Sequence, residues 1–302
     1  MIICAGEILA DLIGKEENGR VLYERFAGGA PFNVACGLKQ LGARCGFFGR
    51  VGDDLIGRYL VGYAESLGFD YLNVRADRAR NTTLAFVELG AGGERRFSFF
   101  RKNTADHALP PEAAEEIARA ADIVHIGSLP LSEEDGRAFA DKAVELAHAY
   151  GKKVSFDVNY RDDLFENEGQ AADIYAKYIA LADIVKLSEE EIEMFSCARS
   201  AEEMLRELAG ENKTVFLTLG AAGSMACRGG KIFSQPSIEI TPVDTTGAGD
   251  AFMAGVLFAL GQGETDMNIV LRTGNVCGAL TAARRGAAGA LDKNLVEEKL
   301  RG

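Results

Sequence analysis

Residues 244–255 read Asp-Thr-Thr-Gly-Ala-Gly-Asp-Ala-Phe-Met-Ala-Gly, and this stretch decides how the fold is interpreted. Thr245 and Thr246 are typical helix N-cap residues, and the Gly-Ala-Gly run at 247–249 predicts a tight turn without bulk. Residues 251–260 are apolar nearly all round, which predicts a buried helix. A glycine turn that leads into such a helix directs several backbone N–H groups at one point, beside the positive end of the helix dipole. The stretch therefore predicts an anion site.

Asp250 follows this turn and has two interpretations. A carboxylate repels a phosphate, so an aspartate at an anion site needs another task. It could orient a substrate hydroxyl that lies between itself and the phosphate and take its proton, while the N–H groups hold the charge on the transferred phosphoryl group. The alternative is an acid in the first helical turn, which stabilises the helix dipole by about 0.3–1 kcal/mol. The Gly-x-Gly-Asp pattern alone favours the alternative.

The composition is that of a globular protein of 302 residues, 47% hydrophobic and 26% charged. This length allows one large α/β domain or two smaller ones. A formal net charge of −12 argues against nucleic acid or an acidic membrane as the main partner. It does not exclude an anionic nucleotide, because fixed charges are screened beyond about 8 Å in physiological salt.

Six cysteines are scattered through apolar surroundings without a C-x-x-C spacing, and the three histidines form no metal-ligand pattern. We interpret the cysteines as reduced core residues and expect a cytoplasmic protein. Glu7 and Asp11 interrupt the apolar run at the N-terminus, which does not resemble a signal peptide. No segment is long and apolar enough to predict a membrane span.

Hydrophobic periodicity predicts an α/β fold. Early strands are expected at residues 1–9, 21–26, 44–50 and 71–75, with helices at 32–41 and 54–67. From residue 121 strands (122–127, 153–159, 183–187, 215–219) alternate with helices (133–150, 169–181, 189–195, 201–209). A hairpin at 223–233 and helices at 251–260, 265–285 and 291–300 follow. Repeated βα units predict a mostly parallel sheet covered on both faces.

Two β-rich runs, residues 82–89 and 95–101, lie on either side of a glycine-rich turn at 90–93 and predict a hairpin. Together with the strand at 21–26 they break the alternation. We expect a small β lid, formed from about residues 12–28 and 82–103, at the edge of the main sheet. An edge hairpin without motion is the alternative. The absence of repeats and linkers predicts a single domain over residues 1–302.

Common nucleotide-binding loops do not explain the glycines. No Gly-Lys pair is followed by Ser or Thr, so the sequence has no P-loop. Phe252 stands where the last glycine of a dinucleotide fingerprint would fall, and the stretch lies far down the chain. A dehydrogenase is therefore not expected.

The full run at 244–255 resembles the second signature of the ribokinase-like (PfkB) carbohydrate kinases, and residues 27–33 are similar to the first. Other similar segments cover nearly the whole chain. The resemblance implies a three-layer α/β/α fold, with Asp250 as catalytic base. It implies that the developing charge is held by N–H groups of the turn, at Gly247, Ala248, Gly249 and Asp250.

The resemblance also implies sugar-binding residues: Asp11, Gly28, Gly29, Asn33, Arg101 and Arg161. Gly28 and Gly29 would let the backbone approach a sugar, and Asn33 can donate to and accept from hydroxyls. The two arginines lie in segments similar to those of fructokinases, and the segment of Arg161 is shared with 2-keto-3-deoxygluconate kinases. The alternatives are a turn with a helix cap for the glycines, a solvated loop acid for Asp11 and structural salt bridges for the arginines.

For the nucleotide, the resemblance implies contacts from Lys186, Glu191, Thr218, Gly220, Gly223 and Asn275. Glu191 would help to hold Mg²⁺ through water. A monovalent cation, expected to be K⁺, would lie near Asp244 and Thr246. The family more often has Asn at the position of Ser188, which puts a direct phosphate contact by Ser188 in doubt. A plain turn after a strand, a structural helical Asn and a solvated helix start are the alternatives.

These features lead us to expect an ATP-dependent sugar kinase. Asp11 favours a neutral ketohexose, and hence a fructokinase, because an acid would repel the carboxylate of an aldonate. The alternatives are 2-keto-3-deoxygluconate kinase, ribokinase or another sugar or nucleoside kinase. A sugar-binding regulator without turnover is a further alternative. Lid strands of this family often pair across a dimer, so we expect a homodimer through the lid.

Overall fold

The computed structural model describes residues 1–89, 95–161, 164–165, 167–198, 200–286, 288–289 and 291–301. The strands in these residues are β1 (Ile2–Ala5), β2 (Leu9–Glu17), β3 (Arg20–Gly28), β4 (Cys45–Gly52), β5 (Tyr71–Asp77), β6 (Leu84–Leu89), β7 (Arg95–Phe100), β8 (Ile123–Ile126), β9 (Lys153–Asp157), β10 (Ile184–Ser188), β11 (Thr214–Thr218), β12 (Ser224–Arg228) and β13 (Lys231–Gln235). The helices are α1 (Ala30–Gln40), α2 (Leu55–Ser66), α3 (Ala113–Ala120), α4 (Glu134–Ala149), α5 (Glu168–Leu181), α6 (Glu189–Ile192), α7 (Ala201–Ala209), α8 (Ala248–Gly261), α9 (Met267–Ala282) and α10 (Lys293–Arg301).

The central sheet has nine strands in the order β13-β12-β11-β10-β9-β8-β1-β4-β5. The strands from β11 to β5 are parallel, and β12 and β13 add an antiparallel edge. The mostly parallel sheet is therefore confirmed. The strands on the two sides of β1 come from successive parts of the chain: β4 and β5 lie on one side, and the strands from β8 onward lie on the other. Such a reversal of strand order opens a crevice at the carboxyl ends of the strands, where ligands bind.

Helices cover both faces of this sheet. Ile3 and Ala5 of β1 share a core with α3, α4, α5 and α7. Ile2 and Cys4 share the opposite core with α1, α2, α8 and α9. The alternation along β1 shows a strand buried on both faces, which is the three-layer arrangement expected. None of the helices in the described ranges combines the length and hydrophobicity needed to cross a lipid bilayer.

A second sheet of four strands has the order β3-β2-β6-β7. β6 and β7 confirm the predicted antiparallel hairpin, whereas its glycine turn at 90–93 lies outside the described residues. Alternation places Asp11 on the inner face of this sheet, towards the cavity described below. The rings of Tyr23, Phe86 and Phe100 form a row on the outer face, with successive centroids 5.1 Å apart.

The prediction of one strand at residues 1–9 is wrong, because β1 ends at Ala5 and β2 begins at Leu9. Between them the backbone passes so close to α1 that a Cβ on Gly6 would lie 2.8 Å from Pro31 Cγ. β2 itself was missed because charged residues fill its outer half. Its hairpin with β3 turns at Asn18 and Gly19, with φ of 52° and 72°. Asn-Gly is the strongest short hairpin signal, so the strand could have been recognised.

Helix α3 was also missing from the predicted elements. It follows Pro110 and Pro111 and carries Glu115 and Glu116 in its first turn, which are recognisable helix-start signals. The short α6 ends earlier than the predicted helix at 189–195. The remaining predicted strands of the central sheet and the helices that cover it agree with the structure to within a few residues at each end.

Glycines bring α8 and α9 unusually close. A Cβ on Gly255 in α8 would lie 2.8 Å from the Thr273 carbonyl oxygen and 2.9 Å from Cys277 Sγ. A Cβ on Gly274 in α9 would lie 2.7 Å from the ring of Phe252. This close packing fixes the position of α8, and therefore the position of the turn that precedes it.

We predict that Gly255→Ala lowers the free energy of unfolding by about 1–3 kcal/mol, because the added methyl group overpacks the α8–α9 contact. Gly62 in α2 is the matched control, since a Cβ there meets nothing within 4 Å. Gly62→Ala should instead stabilise the protein by up to about 1 kcal/mol, through helix propensity alone. Urea unfolding of both variants measures the difference. Equal effects of the two substitutions would refute the close contact.

Candidate active site

A cavity of about 290 Å³ lies at the carboxyl ends of the central strands, between the main sheet and the second sheet. It is the place that the reversal of strand order around β1 predicts. The predicted site residues that line it are Asp11, Gly29, Asn33, Arg161, Lys186, Thr246, Gly247, Gly249 and Asp250. Leu9, Phe99 and Leu129 add an apolar wall.

The first turn of α8 faces this cavity. Gly247 is the N-cap residue, with a left-handed φ of 74°, and no side chain caps the helix. The prediction that Thr245 and Thr246 cap the helix is therefore wrong, because the left-handed turn at glycine takes the cap position. Within the described residues, the amides of Gly247, Gly249 and Asp250 have no acceptor, whereas Ala248 donates to the Thr245 carbonyl at 3.2 Å. Three of the four expected amides are thus open to an anion.

The two signature segments meet at Asp250. Asn33 Nδ2, near the start of α1, donates a hydrogen bond to Asp250 Oδ2 at 2.8 Å. Burial raises the pKa of Asp250, while the Asn33 hydrogen bond and the charges of Lys186 and Arg161 oppose that rise. Asn33 thus holds one carboxylate oxygen, and the other can accept a hydrogen bond from a hydroxyl group.

Asp11 reaches the cavity from the inner face of the second sheet and is 8% exposed. Its carboxylate packs directly on Gly28, where any Cβ would collide with Asp11 Oδ2. Gly29 has a φ of 110°, and a Cβ there would collide with the Glu7 carbonyl oxygen. Both glycines of the first signature therefore permit a close approach, although Gly28 itself does not line the cavity.

Arg101 is not brought to the cavity. Its Nε donates to Asp106 at 2.7 Å and its Nη1 donates to Ser132 Oγ at 2.5 Å, with the ion pair almost fully buried. Asp106 also accepts from the hydroxyls of Thr83 and Thr104, each at 2.6 Å. Burial works to raise the pKa of Asp106, but Arg101 and the two hydroxyls lower it below its usual value. The geometry corresponds to the structural salt bridge rather than to a sugar contact.

Two other basic residues do line the cavity. Arg161 donates to the Tyr160 carbonyl at 3.0 Å, which holds the guanidinium near the end of β9. Lys186 in β10 pairs with Asp157 in β9, with Nζ 3.0 Å from Oδ1 and 3.2 Å from Oδ2. A cation that lines an anion site is suited to bind phosphate.

Glu191 takes part in local structure. Its Oε2 accepts from the Ser188 amide and its Oε1 from the Tyr160 amide, both at 2.7 Å. Ser188 Oγ in turn accepts from the Glu191 amide at 3.3 Å, which completes a capping box at the start of α6. Ser188 is therefore a helix cap. Each Glu191 oxygen keeps a lone pair, so a water-mediated metal contact stays a prediction.

The other predicted nucleotide residues gather at the end of β11, outside the cavity. Asn275 in α9 accepts from Ser224 Oγ at 2.8 Å and donates to the carbonyls of Gln235 and Pro236 at 2.9 and 3.1 Å. A Cβ on Gly223 would collide with the Gln235 carbonyl oxygen. Thr218 ends β11 beside Ser224, and Gly220 follows with a φ of 55°. Asn275 thus fixes the hairpin that borders this surface.

Asp244 is 5% exposed and organises the loop before α8. Its Oδ1 accepts from the Thr246 amide at 2.8 Å and its Oδ2 from the Gly286 amide at 3.1 Å. These bonds join the loop to the segment that follows α9. Carboxylate oxygens are ligands that suit a hard cation.

The comparisons with known proteins agree with this geometry. Residues 1–294 match the pfkB family carbohydrate kinase. The chain belongs to this family. It is 37% identical to the fructokinase of Klebsiella pneumoniae over 95% of its own length and 94% of that protein.

Two solved structures show the same fold in detail. The fructokinase of Xylella fastidiosa with bound ATP matches with a TM-score of 0.89 and 28% identity, over 99% of this chain and 98% of that one. A fructokinase double mutant from Vibrio cholerae, in complex with fructose, ADP and potassium ion, matches with a TM-score of 0.88 and 29% identity. That match covers 99% of this chain and 97% of the other. This pfkB-family protein is accordingly an ATP-dependent sugar kinase.

The structure brings three further residues to the site region, to which the sequence analysis assigned no role. Asn159 lines the cavity with a left-handed φ of 37°, and Asp157 holds Lys186. Glu7 follows β1 in the crevice but is fully buried against Gly127, and neither of its carboxyl oxygens has a partner within the described residues. Glu7 follows a strand, and Asp157 and Asn159 belong to the same strand-end segment as Arg161, so a sequence signal was present for all three.

Burial raises the pKa of Glu7 from 4.5 to about 8, with Asp106 and Asp250 adding to the rise and Arg101 opposing it. A raised carboxyl pKa means that the folded kinase binds a proton that the unfolded chain releases above about pH 4.5. Stability from this group is therefore complete below that pH and is lost as the pH rises towards 8.

We predict that Glu7→Gln, which stays neutral, removes this pH dependence. The melting temperature should fall more between pH 5 and pH 8 for the wild type than for the variant. Asp183→Asn is a control for a carboxylate whose pKa is lowered instead, despite partial burial, by its bonds to Lys153 and Val154. Parallel melting curves of wild type and Glu7→Gln across this range would contradict the neutral Glu7.

Proposed function

We propose that this kinase transfers the γ-phosphoryl group of ATP to a hydroxyl of fructose, forming fructose 6-phosphate. The observation that carries the proposal is the position of Asp250. Its carboxylate lines the cavity beside three amides without acceptors, so that a base and an anion site face the same space. The curated relative and both structures compared above are fructokinases, which supports the choice of sugar.

Asp250 acts as the general base in this scheme. Its oxygen that is not held by Asn33 accepts the proton of the acceptor hydroxyl. The hydroxyl oxygen then forms a bond to the γ-phosphorus while the bond from that phosphorus to the β,γ-bridging oxygen breaks and ADP leaves. The raised pKa of Asp250 makes the carboxylate a better base than an exposed aspartate.

The charge on the transferred group is held by the first turn of α8. The amides of Gly247, Gly249 and Asp250 are fixed by the helix, so they need not reorganise during the reaction. Lys186 adds a full positive charge on the same wall of the cavity. The amides and Lys186 thereby hold the negative charge of the phosphoryl group away from the Asp250 carboxylate.

Asp11 supports a neutral sugar. Its buried carboxylate can accept hydrogen bonds from two hydroxyl groups, and it would repel the carboxylate of an aldonate. Arg161 is the one observation that favours the second candidate, 2-keto-3-deoxygluconate, since a guanidinium on the cavity wall suits a carboxylate.

Nucleotide and metals complete the proposed complex. Adenine and ribose would lie on the surface formed by Thr218, Gly220, Gly223 and Asn275. The described residues contain no group of three or more His, Cys, Asp or Glu side chains that could hold a metal ion. Mg²⁺, which neutralises phosphate charge, would therefore be held mainly by the nucleotide and water, with Glu191 as an outer contact. K⁺ near Asp244 and Thr246 would strengthen the anion site.

The second sheet would act as a lid within a single domain. Phe99 and Leu9 would cover the sugar, and closure would keep water from competing as acceptor. The outer lid face consists of Val21, Tyr23, Phe86 and Phe100. Val21 and Phe100 are each 60% exposed, which is costly for apolar side chains in a monomer. We propose that a second copy of the chain covers this face, and that the dimer works in the cytoplasm.

We predict that ADP release in a coupled assay is fastest with fructose among fructose, 2-keto-3-deoxygluconate, ribose and adenosine.

Asp250→Asn should lower kcat by about 10²–10⁴ with little change in ATP affinity, because it removes only the base. Asp141→Asn, which removes a half-exposed carboxylate in α4, should leave kcat unchanged. Faster turnover of another sugar would refute fructose, and a normal kcat in folded Asp250→Asn would refute the base. Sugar binding without any ADP release would favour the regulator.

We predict that Phe100→Glu converts the dimer into a monomer, because a charge on the outer lid face must be desolvated on association. Light scattering after size-exclusion chromatography measures the mass. Ile269→Glu changes a 47% exposed apolar residue on α9 and should leave the mass unaffected. A monomeric wild type, or a dimeric Phe100→Glu variant, would show that the face is not an interface.

A further inference from the structure

The floor of the cavity contains a buried ion pair that the proposed reaction does not yet use in full. Asp157 is the last residue of β9, and Lys186 stands directly beside it in β10. The side chain of Asp157 is 3% exposed and that of Lys186 is 7% exposed, yet the Lys186 side chain still lines the cavity. The pair therefore separates the cavity from the core beneath it.

The ammonium of Lys186 lies against the first turn of α8. A Cβ on Gly249 would be 3.0 Å from Lys186 Nζ, so glycine is the residue that leaves room for the cation. This location is unfavourable for an unpaired lysine, because the N-terminus of a helix carries positive potential and burial removes water from the charge. Asp157 supplies the compensating charge when no phosphate is bound.

Three carboxylates and one imidazole lie within electrostatic range of the ammonium. Asp157 comes from β9, Glu191 from α6 and Asp250 from α8, while His125 in β8 is held neutral by burial, with a pKa of about 3. Burial works to lower the pKa of Lys186, but Asp157, followed by Glu191 and Asp250, raises it above 10.5. Asp157 is the only one of these groups with a direct bond to Nζ among the described contacts.

The competition between Asp157 and Asp250 for the same lysine has a consequence for catalysis. If Lys186 turned towards Asp250, the base would be neutralised by an ion pair and the anion site would lose its cation. The contacts of Nζ with both Asp157 oxygens, at 3.0 and 3.2 Å, keep the ammonium on the side of the Gly249 turn. The hydrogen bond from Nζ to Asp157 Oδ2, together with the charge of the carboxylate, restrains the position of this flexible side chain.

We propose that Asp157 is a positioning residue that holds the Lys186 ammonium beneath the first turn of α8, where it binds the transferred phosphoryl group. The inference rests on the proposed function, because it assigns Lys186 to the phosphate of that reaction. Asp157 acts only through Lys186 and touches neither sugar nor nucleotide. Its contribution should therefore vanish when the ammonium is absent.

A double-mutant cycle tests this dependence, using kcat measured with saturating sugar and ATP. Asp157→Asn should lower kcat by up to about 10²-fold, the effect of misplacing a catalytic group by a small distance. Lys186→Met should lower it at least as much. Adding Asp157→Asn to Lys186→Met should cause no further loss beyond about twofold, because the two residues act as one unit. A further loss of tenfold in the double variant would overturn the proposal.

The pH profile provides a readout that a purely structural role would not change. In Asp157→Asn the buried lysine loses the main group that raises its pKa, so the ammonium deprotonates at lower pH. The alkaline loss of kcat should then move to lower pH than in the wild type. An unchanged alkaline limb in a folded Asp157→Asn variant would also overturn the proposal.

Controls separate this outcome from unfolding and from failure of the kinase assignment. Asp183→Asn breaks the Lys153 pair at the start of β10, the opposite end of the same strand, and should leave both kcat and its alkaline limb unchanged. If Asp157→Asn does not fold, Lys186→Met and the double variant, which lack the unpaired buried cation, still give the decisive comparison. A wild type without sugar kinase activity would refute the proposed function, whereas an active wild type with an additive cycle refutes only the role of Asp157.

Discussion

The hydrogen bond from Asn33 to Asp250 is the interaction on which the site depends. It joins the starts of α1 and α8 across 217 residues of sequence and fixes Asp250, the proposed base, relative to the first signature. Its strength comes from a charged acceptor in a partly desolvated place. Because Asn33 occupies one carboxylate oxygen, the other is presented to the cavity in one orientation. The proposed sugar side and phosphate side of the site are thus joined by one contact.

Close packing elsewhere supports this contact. The position of α8 is fixed by the glycine-mediated approach to α9 and by the Lys186 ammonium that lies against Gly249. The position of α1 is fixed by Gly29, which packs on the backbone of Glu7 after β1. Both helices are therefore positioned relative to the centre of the sheet, where β1 lies between β8 and β4. A site built on such rigid elements can hold donors in place before substrate arrives.

Sequence patterns predicted the features that depend on neighbours along the chain. The glycine turn before α8, the first signature and most βα units were recognisable because their signals span only a few residues. The prediction that threonines cap α8 was wrong, although it rests on an equally short pattern, because a left-handed Gly247 takes the cap position. The boundary between β1 and β2 was not predicted because it depends on the contact of Gly6 with Pro31, which is remote in sequence.

Packing that the sequence pattern does not show explains the remaining differences in the site. Arg101 was expected at the sugar, but Asp106 and Ser132 enclose it, and the sequence does not show that competition. Asp157 gains its partner only through the register that places Lys186 beside it. The amides of Tyr160 and Ser188 define the orientation of Glu191, and its contact with a metal stays a prediction. Register and burial decide the roles of Arg101 and Asp157, whereas the capping box of Ser188 and Glu191 is a local pattern.

The most direct test of the account is a crystal structure of the kinase with fructose and a non-hydrolysable ATP analogue. We predict that one sugar hydroxyl lies within about 2.6–3.2 Å of the Asp250 carboxylate and faces the γ-phosphate, whose oxygens accept from the amides of Gly247 and Gly249. A complex in which the carboxylate meets no hydroxyl, or in which the γ-phosphate lies away from the first turn of α8, would contradict it.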